Sequence, residues 1–415
     1  MSKKVVVIGG GIIGLCSAYY LQKEGHEVTV IDQSNLTEGA SYVNAGYLAP
    51  SHFIPLAAPG VMKKGIKWMF NPSSPLFIKP RFNLEFLQWA WAFNKSCNPK
   101  HVTQSVNVIK DISVLSQELY DDLKKTDTFR FHYEKRGLFM LCQTEKMLES
   151  EIKLVTMAQE LGLDASEVSL SEITSMEPNA KFNIKGATYY KCDAHTTPHE
   201  FMEDMKAHLR NVGVTFYLNE KVTDLKMQGN KVVSIVTETQ QVLGDEFVLA
   251  AGSWSSLLSK KVGCKLLLQA GKGYRINTER ETGITIPAIL AEAKVAVTPM
   301  NGFTRFAGTM EVAGINHTIN KTRVEAIAQG VQNYYPDIEI TLEEKNDAAA
   351  GLRPVTPDGL PYIGKTKKCS NATLATGHAM MGWSMATATG KVVSEIISER
   401  KPSLDMNPYN PDRTF

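Results

Sequence analysis

No Cys-x-x-Cys pair occurs in the sequence: its six cysteines, Cys16, Cys97, Cys142, Cys192, Cys264 and Cys369, are scattered along the chain. That spacing excludes a zinc-ligand or disulfide framework and fits a reducing compartment. No run of about 18 apolar residues is present, so no membrane-spanning helix is expected. The N-terminus lacks a basic leader, an apolar stretch and a small-residue cleavage site, and runs directly into Val5-Val6-Val7-Ile8; the expected location is cytoplasmic. An excess of one sign of charge is missing too. With 45 Lys and Arg against 43 Asp and Glu, the formal net charge is +2, too balanced for a nucleic-acid binder that works through a basic field. Neither an internal repeat nor a low-complexity tract is visible.

What the chain has is length and a glycine pattern. Its 415 residues exceed what one hydrophobic core usually serves, so two domains are expected. Residues 5–32 read as strand, turn, helix and strand. Val5-Val6-Val7-Ile8 is β-branched throughout, and Gly9-Gly10-Gly11-Ile12-Ile13-Gly14 is the turn. Leu15, Ala18, Tyr19 and Leu21 follow helical spacing to a stop at Gly25, and 27–32 is the next strand. In Gly9-x-Gly11-x-x-Gly14 the first glycine permits a tight turn and the second lets backbone approach a pyrophosphate. The third lets helix and strand pack closely, and the helix N-terminus faces the phosphates. Asp32 can accept hydrogen bonds from an unphosphorylated ribose, which favours NAD or FAD over NADP. A glycine-rich turn without a ligand is the plainer reading of such a motif alone; the complete strand–turn–helix–strand setting argues for a dinucleotide.

An NAD-binding domain would continue to alternate helices and strands. This chain breaks instead into an irregular segment at 33–60, rich in Gly, Ala, Pro, Asn and Ser, of the kind that is usually functional. Helical patterns recur at 105–125, 146–161, 321–335 and 382–399, and strand patterns at 214–218, 222–227, 231–237, 246–251, 273–278, 294–298 and 303–308. The late strand ending Ala250-Ala251-Gly252-Ser253-Trp254 is similar to the second strand-end glycine motif of flavoproteins with two dinucleotide-binding domains.

Several further words are unusual: Asn44-Ala45-Gly46; Ala57-Ala58-Pro59-Gly60-Val61; Ile66-Lys67-Trp68-Met69-Phe70; Lys272-Gly273-Tyr274; Gly351-Leu352-Arg353-Pro354 with Thr356-Pro357-Asp358-Gly359; and Thr376-Gly377-His378 with Gly382-Trp383-Ser384-Met385-Ala386. With the fingerprint, they resemble the glycine/D-amino-acid oxidase-type FAD-dependent oxidoreductases, a family that includes the flavoprotein subunits of bacterial D-amino-acid dehydrogenases. The resemblance runs almost to the C-terminus. It implies an α/β fold with a discontinuous Rossmann-like FAD-binding domain and a second α+β substrate domain carrying a mixed sheet. The expected division is 1–58, 194–262 and 350–415 for the FAD-binding domain, and 59–193 and 263–349 for the substrate domain. It also implies non-covalent FAD and oxidative deamination of D-amino acids, with hydride passing from the α-carbon to flavin N5 and the imino acid hydrolysed to keto acid and ammonia. The resemblance implies D-alanine or a cyclic substrate such as D-proline or a hydroxyproline; Tyr42-Val43, standing where close relatives usually carry small residues, points away from D-alanine toward the cyclic class.

The expected cofactor contacts are Gly9, Gly11, Ile12, Ile13, Gly14, Asp32, Gln33, Asn44, Ala45, Gly46, Val222, Ala251, Gly252, Trp254, Gly377, His378, Gly382 and Trp383. A substrate carboxylate in a partly apolar site needs a fixed, bidentate, always-charged partner, which is the chemistry of arginine. The resemblance puts Arg353 in that role, against a plain structural ion pair. Tyr274 is the expected second carboxylate contact, against a packed core tyrosine; His52 and Arg305 are further substrate-side candidates, each with a solvated or structural alternative. His378, with Arg353 and Tyr274, completes the expected catalytic set, against a simple buried histidine. His195 and His199, four apart, lack a third ligand, and Pro198 makes His199 the opener of a helix, so no metal site is expected. Residues 62–70 combine Lys63, Lys64 and Lys67 with an apolar, aromatic cluster. They read either as a lid helix with solvated lysines or as a peripheral contact with an anionic membrane surface, where a quinone or another redox carrier would accept electrons. Two rival functions share these motifs: an oxygen-using glycine, sarcosine or D-amino-acid oxidase, and a non-catalytic or RNA-modifying FAD-binding protein.

Overall fold

The strand Lys4–Ile8, buried from Val5 onward, lies inside a six-stranded sheet. The order across that sheet is Thr215–Tyr217, Glu27–Ile31, Lys4–Ile8, Glu246–Leu249, Cys369–Thr376 and Tyr362–Thr366. All neighbours are parallel except the last pair, an antiparallel hairpin. A parallel strand covered on both faces needs an apolar run rather than alternation, and Val5 to Ile8 supplies it. Helix Ile12–Lys23 covers one face and crosses helix Ala386–Ile397. Gly390 permits that approach: a Cβ there would meet the Cys16 carbonyl at 2.5 Å. The computed structural model describes residues 1–61, 74, 76–79, 81 and 83–415. The basic, aromatic segment at 62–70 lies outside the described residues.

The second sheet has nine strands. Its path runs Ala349–Val355, Gln269–Thr278, Phe303–Val312, Val295–Met300, Ala288–Leu290, Leu138–Cys142, Gly186–Tyr190 and Ala165–Val168, with Leu76–Ile78 pairing to Phe303–Val312. It is mixed, as expected: two of its pairings are parallel and the rest antiparallel. Helix Lys321–Tyr334 packs on one face, burying Tyr274, Ile276, Phe306 and Ile327. The other face meets the short helix Ala40–Val43 of the nucleotide-binding part; a Cβ on Gly351 would fall on Val43 and within 2.9 Å of the Ala40 α-carbon. A small three-stranded sheet, Tyr47–Leu48, Ala194–Thr196 and Tyr133–Glu134, joins the end of the loop 41–46 to the chain that enters helix Pro198–Asn211.

Some boundaries differ from the sequence reading. The helix expected at 105–125 is Pro99–Lys124, because Asn98 caps it, accepting from the His101 amide at 2.9 Å, and Pro99 occupies its first turn. The helix expected at 382–399 is regular only over Ala386–Ile397, after a turn at 380–385. The strands at 273–278 and 303–308 are halves of longer ones, Gln269–Thr278 and Phe303–Val312. The expected return to the nucleotide-binding part at 350 falls inside strand Ala349–Val355, which is an edge of the nine-stranded sheet, so the chain crosses back only after Val355. Among the described residues no helix is long and apolar enough to cross a membrane.

Candidate FAD and substrate site

The glycine fingerprint forms at the C-terminal end of Lys4–Ile8. Gly9 has φ +103°, and a Cβ there would stand 2.5 Å from the Ala250 carbonyl oxygen. A Cβ on Gly14 would fall on the Gly9 carbonyl. Gly11 is different: its added Cβ would meet only Ser41 Oγ, at 3.3 Å, so the backbone is bare on the side where a phosphate would lie. Helix Ile12–Lys23 begins there without a side-chain cap. The Ile12 amide donates to Ser41 Oγ at 2.9 Å, while Ile13 and Gly14 are first-turn amides with no intrahelical acceptor. Asp32 accepts from the Gly10 amide at 2.7 Å and from the Ser34 amide at 2.8 Å, which aims its carboxylate at the turn. The neighbouring chain 219–222 is held beside it, Glu220 N–H donating to the Asp32 carbonyl at 2.9 Å. Val222 begins the next strand two residues beyond that contact, and Gln33 is exposed.

The loop carrying Asn44, Ala45 and Gly46 is strapped from several sides. Asn44 donates to the Ser41 carbonyl and accepts from the Gly46 amide, both at 2.7 Å. Thr298 Oγ1 donates to the Ala45 carbonyl at 2.7 Å, and the Thr196 amide to the Gly46 carbonyl at 2.8 Å. Arg305 belongs to this scaffold. It is buried with no carboxylate partner among the described residues, and donates through Nη1 to the carbonyls of Tyr42 and Asn44, both at 2.8 Å, and through Nε to Asn277 at 3.0 Å; burial pushes its pKa down to about 9. The expectation of a substrate contact at Arg305 is replaced by a loop anchor. Tyr42 turns away from the sheet, its hydroxyl donating to the Leu36 carbonyl and its ring under Lys206 at 5.6 Å, whereas Val43 packs against Gly351. Of the two unusual residues, Val43 is the one on the site.

Ala251, Gly252 and Trp254 follow Glu246–Leu249, the strand paired in parallel with Lys4–Ile8. Thr376 Oγ1 donates to the Gly252 carbonyl at 3.1 Å, Ser253 Oγ to the Leu352 carbonyl at 3.2 Å, and Trp254 stacks on His317 at 6.1 Å. Gly377, φ +84°, leads into His378, whose backbone bridges to Val355. Buried His378 contacts Thr389 Oγ1 through Nε2 at 3.0 Å, and its Nδ1 has no partner among the described residues. Burial pushes its pKa down to about 3, so the ring is neutral. Trp383 donates its only N–H to Thr196 Oγ1 at 2.8 Å and packs among Tyr120 and Phe201. Its indole is a core group, which leaves only its backbone for the expected cofactor contact.

Arg353 lies on the face that carries Gly273 and Gly351. Opposite residues of an antiparallel pair share a face, and alternate residues along a strand do too. Gly271 is opposite Arg353 and Gly273 opposite Gly351. A Cβ on Gly273 would coincide with the guanidinium itself, on Cζ and both terminal nitrogens. Arg353 Nη1 donates to the Thr309 carbonyl at 2.9 Å. Thr309 has φ +58° and lies in a bulge of strand Phe303–Val312, where the register shifts opposite Lys272 to Tyr274, a distortion that re-aims backbone groups at functional sites. The Thr309 hydroxyl is buried and has no hydrogen-bond partner among the described residues. No carboxylate pairs with Arg353 among the described residues, and burial alone pushes its pKa down to about 10.

Tyr274, the next residue along from Gly273, points the other way. It is fully buried against helix Lys321–Tyr334 and donates to Glu311 Oε2 at 2.8 Å, inside a network with Lys272 and Arg323. The structure does not bring Tyr274 to Arg353: the strand alternation separates them, and the phenol's single proton is engaged. His52 is likewise in another polar cluster. Its Nδ1 contacts Ser51 Oγ at 3.1 Å, Ser51 Oγ donates to Asp193 at 2.5 Å, and burial lowers the histidine to about 4. His195 lies in strand Ala194–Thr196 and His199 in helix Pro198–Asn211, so they do not share a helix face. Sequence reasoning singled out Val43 with Tyr42 but missed Ser41, Gly273 and Thr309. Only Gly273 carried a signal, within the Lys-Gly-Tyr word.

These features fit FAD. The bare backbone at Gly11, the first-turn amides of Ile13 and Gly14 and the carboxylate of Asp32 aimed at the turn are the donors and acceptor that a dinucleotide needs. Comparison with known proteins agrees. Residues 4–396 match the family described as DAO, FAD dependent oxidoreductase. The chain is 31% identical over 417 aligned positions to the D-amino acid dehydrogenase of Vibrio vulnificus (strain YJ016), covering 98% of this chain and 99% of that protein. It is 31% identical over 407 positions to the D-amino acid dehydrogenase of Vibrio atlanticus (strain LGP32), covering 95% and 96%. Among solved structures, glycine oxidase from Geobacillus kaustophilus superposes with a TM-score of 0.78 at 19% identity, over 100% of this chain and 99% of that one. L-proline dehydrogenase from P. horikoshii gives 0.73 at 18%, over 99% and 97%.

Proposed function

The chain belongs to the FAD dependent oxidoreductases of the DAO family, and on that premise we propose that it oxidatively deaminates D-amino acids, delivering the electrons to a quinone or another redox carrier. The observation that carries the reading is Arg353: a half-buried guanidinium, with no carboxylate partner among the described residues, lying over Gly273 on the strand face that meets Ala40–Val43. A buried cation without a counter-ion is costly, and a substrate carboxylate is the anion that completes it. The relatives that match over nearly the full chain are D-amino acid dehydrogenases, which supports both the D configuration and an acceptor other than oxygen.

FAD, when bound, supplies the acceptor for the two electrons of the α-C–H bond. The protein supplies placement. Arg353 fixes the carboxylate, its own position set by the Thr309 carbonyl and by the empty space over Gly273. The unpartnered Thr309 hydroxyl, in the same bulge, is the second polar group available to that carboxylate. Val43, against Gly351, limits the room for the substrate side chain, which supports a small or compact cyclic substrate such as D-alanine or D-proline. His378 stays neutral and accepts or donates one hydrogen bond without bringing charge. The substrate amine must be neutral to give up hydride, and this arrangement calls for no base on the α-carbon.

Anaerobic mixing of the yellow protein with a panel of D- and L-amino acids tests the reading. Bleaching by D-enantiomers, with recolouring by a quinone analogue faster than by air, is the expected result. Bleaching by L-enantiomers only, or by none, would refute it; rapid recolouring by air alone would favour an oxidase.

A further inference from the structure

The three-stranded sheet beneath the FAD loop gathers three side chains that the oxidoreductase site does not use. His132, Glu134 and His195 present one ligand atom each, all within 4.8 Å of one another. Their approach follows from register: Glu134 is directly opposite His195 in the antiparallel pair Tyr133–Glu134 with Ala194–Thr196, and His132 is two residues before Glu134 on the same face. His132 Nε2 lies 3.3 Å from Glu134 Oε1. We propose that His132, Glu134 and His195 form a binding site for a divalent transition-metal ion of the zinc class.

Three observations support it. His195 is fully buried, yet among the described residues neither of its ring nitrogens has a hydrogen-bond partner of good geometry, and a buried polar group in that state is expensive. One nitrogen lies near the Pro299 carbonyl, the outer contact that typically orients an imidazole whose other nitrogen ligates a metal. His132 shows the same arrangement: its Nδ1 contacts Thr197 Oγ1 at 3.0 Å, which leaves Nε2 directed at Glu134. Two imidazoles and one carboxylate are a borderline donor set suited to Zn²⁺, and three protein ligands leave a fourth position for water. His132 and Glu134 are partly exposed, at 20% and 42%, so the site is open to solvent. The opposing charge is Arg136, whose Nε is 4.0 Å from Glu134 Oε2; half-exposed, it can turn to water when the ion takes its place. Bound metal would tie Tyr133–Glu134 to Ala194–Thr196, the strand paired with Tyr47–Leu48 directly after Gly46. The site therefore braces the loop at the flavin rather than taking part in the redox step.

The test uses the untagged, FAD-loaded protein, stripped with a chelator and titrated calorimetrically with zinc sulfate. One saturable site per chain is expected, with a rise in thermal midpoint. Each of His132→Gln and Glu134→Gln should weaken binding by more than about tenfold, and the double variant should abolish it, with FAD content unchanged because both side chains are at the surface. X-ray absorption at the zinc edge should show two imidazoles. No saturable binding to the parent, or equal binding by the double variant, would overturn the proposal.

Discussion

The guanidinium of Arg353 lies over the α-carbon of Gly273 on the adjacent antiparallel strand, so closely that a side chain at 273 would occupy the same space. Space, not backbone conformation, requires glycine there. Gly273→Ala should therefore displace the guanidinium and lower kcat/KM for amino-acid substrates by at least about tenfold, in line with the sensitivity of catalysis to misplacement of about 1 Å. FAD content should stay normal. Steady-state kinetics beside the flavin absorbance checks this, and unchanged kinetics would mean that Arg353 is not held by this contact.

Tyr274→Phe separates the two faces of the same strand. The lost hydrogen bond leaves Glu311 short of a donor, which should lower stability by about 1–3 kcal/mol. KM for the substrate should hardly change, because the phenol is on the far face. A large rise in KM with normal stability would return Tyr274 to the substrate side.

Much of the nucleotide-binding part was legible in the sequence, because local rules fix it. Three glycines and an acidic residue in strand–turn–helix–strand order have one common structural use, and here Gly9, Gly14 and Asp32 make the contacts that use requires. The substrate face was less legible. Whether Tyr274 or Gly273 faces Arg353 depends on the register between strands far apart in sequence, and a shift of one residue exchanges the faces. The roles of Arg305 and Thr309 rest on a loop anchor and a bulge that no periodicity announces. His195 was paired with His199 by spacing, whereas the fold pairs it with Glu134 across a ladder.

Gly11→Val should abolish FAD binding while the chain still folds. The side chain would project from the one bare stretch of backbone at the helix start, where only Ser41 Oγ is near. Colourless protein with a native-like circular dichroism spectrum is the expected outcome; normal yellow colour would show that the phosphates lie elsewhere.

His378 gives a pH dependence. Its folded-state pKa, about 3, is below the ordinary 6.5, so its neutral form is favoured in the fold. The stability that follows is present above pH 6.5 and is lost as pH falls toward 3. At pH 5 the loss is about 2 kcal/mol relative to pH 7. In FAD-loaded protein, His378→Gln should reduce the fall in unfolding free energy between pH 7 and pH 5 by about that amount; an identical fall would mean that the ring titrates normally.

Flavin reduction by D-alanine in Arg353→Met, followed anaerobically in a stopped-flow instrument, tests the central claim most directly. Loss of the charged partner of a buried carboxylate should cost about 3–5 kcal/mol, so the apparent second-order rate of bleaching should fall at least about a hundredfold. FAD should remain bound, and every amino-acid substrate should be affected because all share the carboxylate. Arg353→Lys should be poor too, since an ammonium cannot form the planar fork. Near-normal bleaching by Arg353→Met would contradict the account and make Arg353 a structural residue.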